Sequence, residues 1–155
     1  MLEDIKIKLK CWEIYQEKDA FLNFELSRKT DSVYLTTEIC DSDEKDESSY
    51  IEFDYDSIDL LMDVLSRNIV IDSFNMNDGI SSYCIHPYFL CEDDYKRSID
   101  KLFYDFNITI EKLKSSKSQE VEKIATFWIN QSELYKTIKY IQKYMIEKYH
   151  PDEDY

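Results

Sequence analysis

Residues 4–11, DIKIKLKC, set Ile5, Ile7, Leu9 and Cys11 on one side of an extended chain and Lys6, Lys8 and Lys10 on the other. Alternation with a period of two is what a strand with one buried face requires. The pattern runs on through Trp12, Ile14 and Tyr15, and Gln16–Asp19 reads as a turn. Residues 20–27, AFLNFELS, predict a second strand and residues 33–40, VYLTTEIC, a third, with a turn at 28–32 between them. Tight turns between alternating strands predict an antiparallel meander.

Working outward, residues 41–48, DSDEKDES, form a strongly acidic loop, and Tyr50–Phe53 a short fourth strand. Asp56 predicts the N-cap of a helix over 57–67, whose core face is Ile58, Leu61, Met62 and Leu65. Ile69–Phe74 and Ile80–Ile85 predict two paired strands around Asp78-Gly79, where glycine supplies the positive φ of a hairpin turn. His86-Pro87 is expected to end the second of them. The acids at 92–94 open an expected helix over about 93–106, with Tyr95, Ile99, Leu102, Phe103 and Phe106 inward. Residues 107–113, NITIEKL, fit strand or helix. Ser116 with Gln119 forms a capping-box pattern. A long helical region is then expected over about 118–149, with Val121, Ile124 and Trp128 on one face. Leu134, Ile138, Ile141 and Met145 continue it, and Asn130-Gln131-Ser132 is the place where it would kink or split.

The fold class expected from this pattern is α+β, as one domain over residues 1–150. An antiparallel sheet of about five or six strands carries helices on one face, and the C-terminal helix is the longest element. Residues 151–155, PDEDY, are expected to form a frayed acidic tail, because Pro151 stops the helix.

Composition narrows the chemistry. Of 155 residues, 33 are acidic and 19 basic, for a net charge of −14. Phosphate binding draws on Lys and Arg, so no direct nucleic-acid partner is expected. An anionic membrane surface is disfavoured for the same reason. No secretory signal or spanning segment is read, so a cytoplasmic location is expected, with Cys11, Cys40, Cys84 and Cys91 as thiols. The one glycine rules out glycine-rich phosphate loops. No cofactor is expected.

Two constellations stand out. Cys84, His86 and Cys91 place three metal-ligating side chains within eight residues. Zinc favours four ligands in paired short hooks, and the second hook is missing, so no metal set is assigned. Cys84 and His86 share one face of a strand, which brings a Cys–His nucleophile pair within reach, yet no oxyanion site accompanies them. A Cys/His-dependent or metal-dependent hydrolase centred on Cys84, His86 and Cys91 is the alternative reading; no catalytic residue is assigned.

The second constellation is the acidity itself. Residues 1–110 hold 25 acids against 11 bases, whereas residues 111–148 hold 5 against 8. Residues 41–56, DSDEKDESSYIEFDYD, concentrate 8 acids against one base. They lack the central glycine and spaced final Glu of an EF-hand. Aromatic anchors among carboxylates suit a protein-binding edge: the anchors supply contact energy, and the acids steer a basic partner. The residues assigned to it are Asp41, Asp43, Glu44, Asp46, Glu47, Tyr50, Glu52, Asp54, Tyr55 and Asp56.

The function expected is neutralisation of a basic protein by stoichiometric binding. An immunity protein against a nuclease-type toxin works this way, as does a phage inhibitor of a host nucleic-acid-handling defence enzyme. A monomer or small homo-oligomer is expected. A further alternative is a structural subunit assembling through the C-terminal helix, although its 4-3-4 apolar stripe is shorter than a coiled coil needs.

Overall fold

The computed structural model describes residues 5–26, 33–40, 51–77, 82–90, 98–99, 102–115 and 120–149. Its elements are β1 (Ile5–Glu13), β2 (Lys18–Leu26), β3 (Val33–Ile39), β4 (Ile51–Phe53), α1 (Tyr55–Leu65), β5 (Phe74–Asn77) and β6 (Ser82–Phe89). There follow β7 (Ser98–Ile99), β8 (Leu102–Phe103), β9 (Phe106–Leu113), β10 (Val121–Ile129) and α2 (Gln131–Tyr149).

Among the described residues, eight strands make one antiparallel sheet in the order β4-β3-β2-β1-β10-β9-β6-β5, and β7 pairs with β8 separately. The expected meander is present as β4-β3-β2-β1, in unbroken register from Ile5↔Leu26 to Glu13↔Lys18 and from Leu26↔Val33 to Ala20↔Ile39. The other half runs β10-β9-β6-β5.

This corrects the expected architecture of about five or six strands with helices on one face. The sheet is larger, and its right-handed twist curls it into a nearly closed barrel. The two edge strands come together at the seam, where the Phe53 ring on β4 meets the Phe74 ring on β5 edge-on at 6.3 Å.

One apolar cluster fills the inside. β1 and β2 contribute Leu9, Cys11, Ala20, Leu22, Phe24 and Leu26, while β6, β9 and β10 contribute Tyr83, Ile85, Phe106, Ile108, Phe127 and Ile129. Both helices feed the same cluster through the expected stripes, Ile58, Leu61, Met62 and Leu65 of α1, and Leu134, Ile138, Ile141 and Met145 of α2. All four α2 stripe residues are fully buried, so the stripe is consumed by the chain's own core. Asp59 of α1 accepts a hydrogen bond from Gln142 of α2 at 2.7 Å, which ties the helices together.

Several local expectations change. Helix α1 begins at Tyr55, capped by Asp54 rather than Asp56. The Asp54 carboxylate accepts from the Ser57 backbone N–H at 2.9 Å and its hydroxyl at 2.7 Å, and Asp56 lies in the first turn. Residues 69–73 are not strand; Val70 is 95% exposed, and the strand begins at Phe74. Pro87 does not end β6, which continues to Phe89. β5 begins opposite Ile85 and runs away from Pro87, so Pro87 has a single neighbour, Ile108 of β9, and an edge position tolerates a missing N–H.

The expected helix over 93–106 is replaced, where described, by β7, β8 and the start of β9, and residues 107–113 are strand. The long helix is halved. Residues 121–129 form β10, with Phe127 and Ile129 buried, and the helix starts at Gln131. Asn130 makes the break: its side-chain oxygen accepts from the Glu133 N–H at 3.0 Å. Asp78-Gly79, the Ser116–Gln119 capping box, residues 92–97 and the 151–155 tail lie outside the described residues.

The two half-sheets meet along a short β1–β10 ladder, Trp12↔Trp128 and Glu13↔Phe127. A buried carboxylate reinforces it. Glu13 is 1% exposed, and its two oxygens accept from the Gln16 N–H at 2.6 Å and the Thr126 N–H at 2.8 Å. One side chain thus closes the β1–β2 turn and fastens β10.

Candidate functional site

Of the ten residues assigned to partner binding, Glu52, Asp54, Tyr55 and Asp56 are described. Asp41, Asp43, Glu44, Asp46, Glu47 and Tyr50 lie outside the described residues. Glu52 sits at the middle of β4, half-exposed between buried Ile51 and Phe53, because strand alternation turns it away from the core. Asp54 and Asp56 are exposed at the start of α1, where the helix dipole favours negative charge. Tyr55 is half-buried, and its ring packs against the core. Burial first, and then the neighbouring carboxylates of Asp59 and Asp56, hold its phenol above the ordinary tyrosine range.

Glu52 and Asp54 share a cleft. It holds about 300 Å³, opens to solvent at the sheet seam, and is lined by Glu52, Asp54, Ser57, Asn75 and Met76. The side that comes from β5, Asn75 and Met76, was not anticipated. The sequence marks this stretch only as the approach to the Asp78-Gly79 turn, and the closing of the sheet brings it opposite Glu52. Two carboxylates, a hydroxyl and an amide beside an apolar methionine make a recess whose polar groups suit a cation on an apolar stem. A Lys or Arg side chain has that shape.

The second constellation is rearranged. Cys84 and His86 project from the same side of β6, as expected. Their nearest companion among the described residues is Glu111 of β9, whose Cα pairs with that of Cys84 in the ladder. Ligand atoms of Cys84, His86 and Glu111 lie within 4.8 Å of one another, all three side chains half-buried. His86 Nε2 contacts Glu111 Oε1, and His86 Nδ1 lies 3.2 Å from the carbonyl oxygen of Asp72. Cys91 lies outside the described residues. Cys11, Cys40 and Cys84 are free thiols.

The chain matches no protein-family model, and no curated protein is similar to it. No helix among the described residues is long and apolar enough to cross a membrane.

The remaining charge is distributed differently. The outward lysines of β1 are partnered on the sheet surface. Lys8 reaches across β2 to Glu38 of β3 at 3.2 Å while lying 4.1 Å over the Phe21 ring, and Lys6 meets Glu25 at 3.9 Å. Such exposed pairs contribute little stability. They occupy Glu25 and Glu38.

Proposed function

We propose that this protein acts by binding a basic protein partner mole for mole, masking the cationic surface through which that partner works. A nuclease-type toxin or a nucleic-acid-handling defence enzyme is the class of partner this suits, because such proteins present Lys and Arg to phosphate. The supporting observation is the seam cleft, where Glu52 and Asp54 converge on a recess of side-chain size at the end of the acidic 41–56 stretch. Asp41, Asp43, Glu44, Asp46 and Glu47 supply long-range attraction in this reading, and Tyr50 and Tyr55 supply apolar contact.

The test starts from co-purification out of the native host, followed by association kinetics with the captured partner at several salt concentrations. Reversing Asp43, Glu44, Asp46 and Glu47 to Lys should slow association by on the order of 10- to 100-fold at low salt and flatten its salt dependence. Glu52→Lys should mainly speed dissociation. An on-rate unmoved by the four reversals removes the acidic stretch from the interface.

A further inference from the structure

We infer that Cys84, His86 and Glu111 form a site for one borderline-soft divalent metal ion, zinc(II) above all. The argument begins with what surrounds the imidazole. His86 Nδ1 faces the Asp72 carbonyl oxygen and Nε2 faces a Glu111 carboxylate oxygen. A carbonyl oxygen only accepts, so Nδ1 carries the proton and donates to it. Nε2 is then the ring atom left to Glu111, and what joins the two is a positive charge that both can share. Either a second proton or a metal ion serves.

The third group favours the metal. The Cys84 ligand atom falls within 4.8 Å of both of the others. A tetrahedral zinc ion with bonds of about 2.0–2.3 Å holds its donor atoms roughly 3–4 Å apart, so modest side-chain rotation brings all three onto one centre. A sulfur, nitrogen and oxygen set suits zinc and disfavours magnesium or calcium, which take oxygen donors. The Asp72 carbonyl is the outer partner that fixes the tautomer and orientation of a metal-binding histidine.

The backbone is suited to hold such a site. Cys84 and His86 are two apart on β6, and Glu111 is locked opposite Cys84 by an eight-position ladder between β6 and β9. The donors are half-buried, which leaves room for a solvent molecule as fourth ligand. The site and the seam cleft rest on different residues, so either can fail without the other.

The experiment is a zinc(II) titration of the reduced, chelator-stripped full chain, in competition with a chromophoric chelator, with cobalt(II) as spectroscopic probe. The expected result is one equivalent bound and a sulfur-to-cobalt charge-transfer band. Cys84→Ser, His86→Gln and Glu111→Gln should each weaken zinc binding by about tenfold or more. Cys84→Ser should also abolish the band, and Cys40→Ser should leave both readouts intact. Far-ultraviolet circular dichroism checks that each variant folds, and Glu111→Gln retains a polar group opposite His86. Absence of zinc binding overturns the inference and leaves His86 and Glu111 as an ion pair. Binding that is indifferent to Cys84→Ser, or matched by magnesium, overturns it as well.

Discussion

Glu13 is the side chain whose removal should tell most about how the sheet holds together. It is buried, and its oxygens each accept one backbone N–H, from Gln16 at 2.6 Å and Thr126 at 2.8 Å. Hydrogen bonds to a charged group contribute about 1.5–3 kcal/mol each, so the pair is worth roughly 3–6 kcal/mol. That is a large share of the ~5–15 kcal/mol that holds a typical domain. Glu13→Gln keeps the shape but not the chemistry. One oxygen still accepts, while the amide –NH₂ is turned towards an N–H that also donates. We expect Glu13→Gln to cost about 2–3 kcal/mol, and Glu13→Ala more, because it orphans both donors. Urea unfolding followed by intrinsic fluorescence measures this at the right place, since the only two tryptophans, Trp12 and Trp128, face each other across the same ladder. A Glu13→Gln midpoint equivalent to less than about 0.5 kcal/mol of change, with unaltered emission, would show that the carboxylate does not clamp the two half-sheets.

Two other measurements bear on particular residues. Burial first, then the neighbouring Cys40, Glu13 and Asp19 side chains, push the Cys11 thiol far above its ordinary value. The folded state therefore keeps a proton that the unfolded chain releases above about pH 8.5, so stability holds below that pH and falls above it by about 1.4 kcal/mol per pH unit. Cys11→Ala should flatten this decline in denaturation curves between about pH 8.5 and 10. Asn130→Ala should destabilise the protein by about 1 kcal/mol through loss of the α2 cap, whereas Asn130→Asp should restore it; equal midpoints for all three proteins would refute the capping role.

The legible parts of the fold were those where one period dominated. Residues 5–13, 18–26 and 33–35 alternate, and the stripes of α1 and α2 recur at three and four, because each faces one core with one side. In residues 121–129 some apolar side chains do not point inward. Val121 and Ile124 are exposed, yet with Trp128 they imitate a helical spacing; the true signal was the buried pair Phe127 and Ile129, two apart. Tyr95, Ile99, Leu102 and Phe103 likewise fit helical spacing over a stretch that pairs as short strands where it is described. The partners that the structure adds to the candidate sites are hidden in the sequence for another reason. Glu111 stands 25 positions from His86, and Asn75 is 23 from Glu52, so only the β6–β9 register and the curling of the sheet bring them together. Local spacing holds no trace of either.

The seam also bears on how much of this protein a cell could hold. A binder of the kind proposed would have to accumulate to the level of its target, and an incompletely closed sheet is exposed to strand exchange between molecules. Among the described residues the two edge strands are three and four residues long, one is followed at once by a helix, and its central residue is a glutamate. Borders that short and that charged give a neighbouring chain too little ladder to add to, so crowding favours the dispersed form over fibrils.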